Sequence, residues 1–337
     1  MTDQNPAVER TESDSVPVRI GLGAIVAYVV LACALAWLVA LPLWLGDGLA
    51  TPFAGALLPV MMYAPAAAVL IVMLAMRPVP RGQRLRFLGM WPLRPAKRVV
   101  WLSVIALFGT VAVVVLAMLI ALAFGWLRAD FAGLSGYTET LQAAVPPGTA
   151  LPPAWILVAA QLVAIPFAAA TINALAAFGE ELGWRGFLVP ALRRYGTWTA
   201  LLVSGAIWGL WHAPVILLGY NFGRTDITGV LLMTGGCMAW GVLFGWTRLR
   251  TGSMWPAVFA HGALNAAAGL PMLFRAAGAP FDPGFAIALG VSGWIACAIV
   301  IVVLLLTGQF RKQPALAGPR APRAPASAPP PRLPPAT

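Results

Sequence analysis

Residues 99–125 read VVWLSVIALFGTVAVVVLAMLIALAFG, an apolar run without a single charged side chain. An α-helix rises about 1.5 Å per residue, so a run of this length crosses a hydrocarbon core about 30 Å thick. Backbone polar groups inside that core find no water, and a helix satisfies all of them within one segment. Working outward, similar stretches lie at 20–45, 53–76, 155–178, 199–219, 227–247, 255–274 and 284–307. The expectation is an all-α, polytopic membrane helical bundle of about eight transmembrane helices. Composition agrees: 60% of the 337 residues are hydrophobic, 10% are charged and mean hydropathy is +0.84. That leaves too little polar surface for a water-soluble globule. The first span follows an eighteen-residue polar segment and has a long apolar run, so it reads as a retained anchor and not as a cleaved signal peptide.

The net charge of +11 reports orientation before it reports a partner. With the N-terminus in the cytoplasm, eight crossings place nineteen of the 22 Lys and Arg residues on the cytoplasmic side, with only Arg128, Arg224 and Arg275 outside. The sharpest contributor is the loop holding Arg77, Arg81, Arg84, Arg86, Arg94, Lys97 and Arg98, which has no acidic residue. Both termini are therefore expected in the cytoplasm, and nucleic acid is not an expected partner. Membrane lipids are, since anionic headgroups attract such a loop by about 1 kcal/mol per basic side chain.

Three parts follow from composition. Residues 1–18 form a polar N-terminal tail, residues 19–307 form one transmembrane domain without an internal repeat, and residues 308–337 form a tail dominated by Pro, Ala and Arg. Neither tail can bury enough surface to offset its ordering entropy, so both are expected to be disordered. Pro329, Pro330, Pro331, Pro334 and Pro335 favour extended polyproline geometry, a linker by default. Cys33, Cys237 and Cys297 fall within apolar spans without paired spacing and read as small packing residues.

Ionisable groups in a bilayer cost about 2.5 to 3.5 kcal/mol on insertion scales, so each is a functional candidate. The only histidines, His212 and His261, both lie in expected spans, and Glu180, Glu181 and Arg185 stand near the cytoplasmic end of the fourth. Residues four apart share a helical face, so Glu181 can pair with Arg185 while Glu180, about 100° away, remains free. Trp208 and His212 share a face by the same spacing, as do His261 and Asn265. A carboxylate beside an imidazole suits general acid and base work on water. A second His and an Asn can donate hydrogen bonds to the oxyanion formed when water attacks an amide. Glu180, His212 and His261 would equally make a catalytic zinc shell, and spacing does not decide between the two. Each histidine alone could simply bond to a neighbouring helix, and Trp208, Trp211 and Trp255 read as core or interfacial aromatics.

The order of these residues resembles the CPBP family, which includes the type II CAAX prenyl endopeptidases and bacterial Abi proteins. Glu180-Glu181-Leu182-Gly183-Trp184-Arg185-Gly186 is similar to its EExxxR motif. Ser204, Trp208 and His212 match its FxxxH element with Trp in place of Phe. Arg250 to Trp255, continuing through His261 to Asn265, looks like its HxxxN element and the usual approach to it. The motif core thus spans 180–265. The resemblance implies that Glu180 works with His212 to activate water, that Glu181 and Arg185 support its geometry, and that His261 and Asn265 bind the oxyanion. Of the metal-dependent and metal-free descriptions of the family, the second is favoured, with zinc as the alternative cofactor.

The expected function is an intramembrane endopeptidase acting on a membrane-associated protein or peptide, with or without a lipid modification. An Ala-rich chain that prefers Arg to Lys suggests a high-GC bacterium, where prenylated substrates are not expected. Competing readings are a non-proteolytic bacteriocin-immunity or scaffold protein and, further off, a transporter. One tension remains in the sequence. The apolar run ends near residue 178, which would leave Glu180 at the interface and His212 near the bilayer centre, unless a kink at Pro166 or a wet cavity brings them together.

Overall fold

The computed structural model describes residues 18–311 and 313. The polar segment before Val18 and the proline-rich tail beyond Arg311, save Gln313, lie outside the described residues. Helices dominate: α1 Leu22–Leu45, α2 Ala54–Met61, α3 Ala64–Ala75, α4 Arg84–Leu88, α5 Ala96–Ala123, α6 Ser135–Ala144, α7 Ala154–Ala170 and α8 Ile172–Glu181. A π-helical segment, Leu182–Leu188, follows α8. Then come α9 Val189–Leu192, α10 Thr197–Trp211, α11 Ala213–Ile216, α12 Ile227–Thr251, α13 Trp255–Ala267, α14 Leu270–Phe274, α15 Pro283–Ala286 and α16 Val291–Leu306. Extended pairing among the described residues amounts to one isolated bridge, Ala129 to Arg275.

The all-helical membrane architecture is as expected. Among the described residues six helical stretches are long and apolar enough to cross a membrane, and the bent pair α7 and α8 with its continuation makes up to seven. The expected fifth span is the shorter helix α10. His212 ends it, and Pro214 then opens the one-turn helix α11 in the sequence Trp211-His212-Ala213-Pro214. The physical reason is ordinary: proline supplies no N–H to bond the carbonyl four residues back, and it clashes with that turn.

Packing explains how the motif residues come together. Helix α10 lies along α12, and a Cβ on Gly209 would stand 2.3 Å from the Thr234 Cα. Only glycine permits that approach, the small-residue packing by which helices associate in lipid. Helix α13 packs against α5, α7, α8 and α12. Helix α12 has clear limits: the Asp226 side chain accepts from the Thr228 N–H at its start, and Gly252 at φ 69° closes it. Outer faces stay apolar, with Trp155, Leu162, Val163 and Phe167 of α7 exposed, as lipid contact requires. The chain is a multi-pass membrane protein.

Candidate active site

The glutamate pair sits where regular helix gives way. The chain bends by 40° between α7 and α8, at Thr171 with φ −120° and ψ −98°, five residues beyond Pro166. Helix α8 then runs into the widened π turn, a geometry often found at functional sites. Segment 179–189 is buried apart from the half-buried Leu182. Glu180 is therefore enclosed by protein. It is 2% exposed, Glu181 0% and Arg185 1%, because neighbouring helices and the basic loop before α5 wrap the segment after its own apolar run has ended. Arg248 fastens that wrapping. Its Nε donates to the Arg185 carbonyl at 3.0 Å and its Nη2 to the Phe87 carbonyl at 2.8 Å.

Glu181 has charged company. Arg185 Nη1 lies 2.8 Å from its Oε1, the helical pair expected from spacing. His261 Nδ1 reaches the same oxygen at 2.9 Å from α13, and no local spacing could announce that contact across 80 residues. The other oxygen, Oε2, is enclosed without a partner.

Glu180 has neutral company, which corrects the expectation of a free carboxylate. Its Oε2 accepts the Trp208 indole N–H at 2.5 Å and, more weakly, that of Trp184 at 3.4 Å. Oε1 makes no hydrogen bond among the described residues and is not one of the sealed polar atoms. Trp208 is thus more than a packing aromatic. Its ring also carries the Arg185 guanidinium over its face at 4.4 Å, a cation–π contact, and meets the His261 ring edge-on at 5.2 Å. The spacing of Glu180 and Trp184 made the weaker contact readable from sequence; nothing local pointed to the stronger one.

His212 is half-buried. Its Nδ1 donates to the Trp208 carbonyl at 2.9 Å, with Cys237 Sγ 4.0 Å from the same nitrogen. With the proton on Nδ1, the neutral ring presents the Nε2 lone pair. Glu180 and His261 are both within electrostatic reach of this ring. His261, 4% exposed, lies in α13 about one turn from Asn265, about 6 Å along the axis. Asn265 is exposed and makes no hydrogen bond among the described residues. The structure brings Glu180, Glu181, Arg185, His212 and His261 together around Trp208, and leaves Asn265 at the margin on the His261 face.

Among the described residues no three of His, Cys, Asp and Glu stand close enough to hold a metal ion.

The description "type II CAAX prenyl endopeptidase Rce1-like" matches residues 155–267. The match is confined to this segment, about a third of the chain. A 49-residue stretch is 43% identical to CAAX prenyl protease 2 of Methanococcus maripaludis, covering 14% of this chain and 18% of that protein's length. No solved structure matches the chain. The matched segment runs from α7 to α13, so it contains every charged, imidazole and indole group just described. Helices α1 to α5 and α16 lie outside it. They still contribute, since Tyr28 of α1 packs edge-on against Trp184 at 5.8 Å and tilted on Phe187 at 4.9 Å, bracing the π turn.

Proposed function

We propose that this protein is a cytoplasm-facing intramembrane endopeptidase in which Glu180 and His212 activate water for attack on a peptide bond. One observation carries the reading. Glu180 and His212 are both tied to Trp208 through one atom each, and each keeps its second polar atom, Oε1 and Nε2, without a hydrogen-bond partner among the described residues. Two bases held in this way suit a water molecule between them.

The steps balance without a cofactor. A water O–H gives its proton to the Glu180 and His212 pair as its oxygen bonds the scissile carbonyl carbon. The carbonyl oxygen becomes an oxyanion, for which Asn265 and His261 are the nearest donors in the proposal. With His261 Nδ1–H given to Glu181, a hydrogen bond donated from Nε2 requires the imidazolium, whose charge Glu181 balances. Collapse breaks the C–N bond, and the stored proton goes to the leaving amine. Glu181 and Arg185 hold His261 and the π turn in place.

The substrate in this proposal is a protein or peptide cleaved near its C-terminus or beside the membrane. The name of the Methanococcus relative makes a prenylated CAAX peptide the first probe, run beside its unmodified counterpart. The basic cytoplasmic loop would face anionic lipid, with both termini on that side. Purified protein incubated with quenched peptides tests the core claim: wild type cleaves, and Glu180→Ala and His212→Ala do not. Equal rates in all three would remove it.

A further inference from the structure

We infer that Trp208 is a positioning residue that orients both bases at once, its indole N–H aiming Glu180 and its carbonyl setting the His212 tautomer. This rests on the endopeptidase reading. Among the described residues Glu180 is a buried carboxylate with no cation in an ion pair with it, and an unpaired buried carboxylate is costly. The Trp208 N–H at 2.5 Å is its strongest partner. That bond occupies Oε2 and turns Oε1 outward. The buried cation Arg185 acts through the same side chain. Its guanidinium lies over the Trp208 ring, where it draws electron density from the indole and makes the N–H a better donor. Through the backbone, the Trp208 carbonyl accepts His212 Nδ1–H and so leaves Nε2 as the acceptor. A phenylalanine at 208, as in the FxxxH pattern, would keep the carbonyl contact and the ring packing. It would lose only the hold on Glu180.

Trp208→Phe and a benzothienyl-alanine replacement at 208, which substitutes sulfur for N–H in the same shape, therefore test one atom. Both should lower kcat about 10- to 100-fold, the worth of a hydrogen bond to a charged group, with KM unchanged. A structural role alone would move folding yield or KM and would spare the isosteric replacement. A second readout needs no substrate. In indole 15N–1H spectra of the full chain in nanodiscs, the peak lost in Trp208→Phe should lie downfield and should move upfield in Glu180→Gln. If that peak ignores Glu180→Gln, the hydrogen bond is absent and the inference falls, whatever the activity. If the peak responds but both replacements keep full kcat while Glu180→Gln is dead, the bond exists without positioning anything, and the inference again falls. If Glu180→Gln cleaves normally, the endopeptidase chemistry itself is wrong, and the spectra identify that failure separately.

Discussion

Glu180 and Glu181 are neighbours of identical chemistry placed in opposite surroundings. Glu181 faces a guanidinium and an imidazole on one oxygen and is completely enclosed. Glu180 faces two indole N–H groups on one oxygen and, among the described residues, keeps the other unpartnered. The first arrangement neutralises charge and ties α8 to α13. The second holds a carboxylate without neutralising it. A step of about 100° around the helix axis is enough to separate an acid paired with cations from one held by indoles, because each direction meets a different helix.

The comparison breaks most visibly at Glu180. Glu180→Gln keeps shape and one acceptor, and peptide cleavage should fall by about 10⁴-fold, the upper range for a general base, with the unfolding temperature unchanged. Loss of fold instead of rate would reverse the roles of the two glutamates. Glu181→Ala should show the converse. Removing one partner of a buried pair leaves Arg185 uncompensated, and stability should drop by about 3 to 5 kcal/mol, read as thermal unfolding in detergent. A stable but inactive Glu181→Ala protein would move the chemistry to Glu181.

Smaller effects sharpen the picture at the margins. Asn265→Ala should reduce kcat about 100-fold with little change in KM, the cost of one oxyanion donor, since Asn265 makes no hydrogen bond that its loss would break. The smallest expected effect is none. Incubation with a strong chelator followed by assay in metal-free buffer should leave the rate unaltered, and recovery on adding zinc to a chelated, inactive sample would require a metal mechanism.

Particular residues show how far the sequence could be read. The pair Glu181 and Arg185 was legible because i and i+4 side chains meet on any helix, and their separation is 2.8 Å. Spacing likewise put His212 with Trp208 and His261 with Asn265, although the His212 contact proved to be with a backbone carbonyl. The expected span at 199–219 came out as a fifteen-residue helix, because hydropathy does not register where a proline turn ends a helix. The burial of Glu180 was not legible, since a hydropathy window sees only its own segment and not the helices wrapped around it.

By itself the sequence determined the helical class, the approximate spans and the local charge pair. All of these depend on interactions within one segment or between one segment and lipid. Tertiary structure alone decided that His261 meets Glu181 across 80 residues and that Trp208 meets Glu180 across 28. Such contacts depend on how closely α10, α12 and α13 approach the π turn. That approach is set by where small residues let backbones touch, as Gly209 does against Thr234.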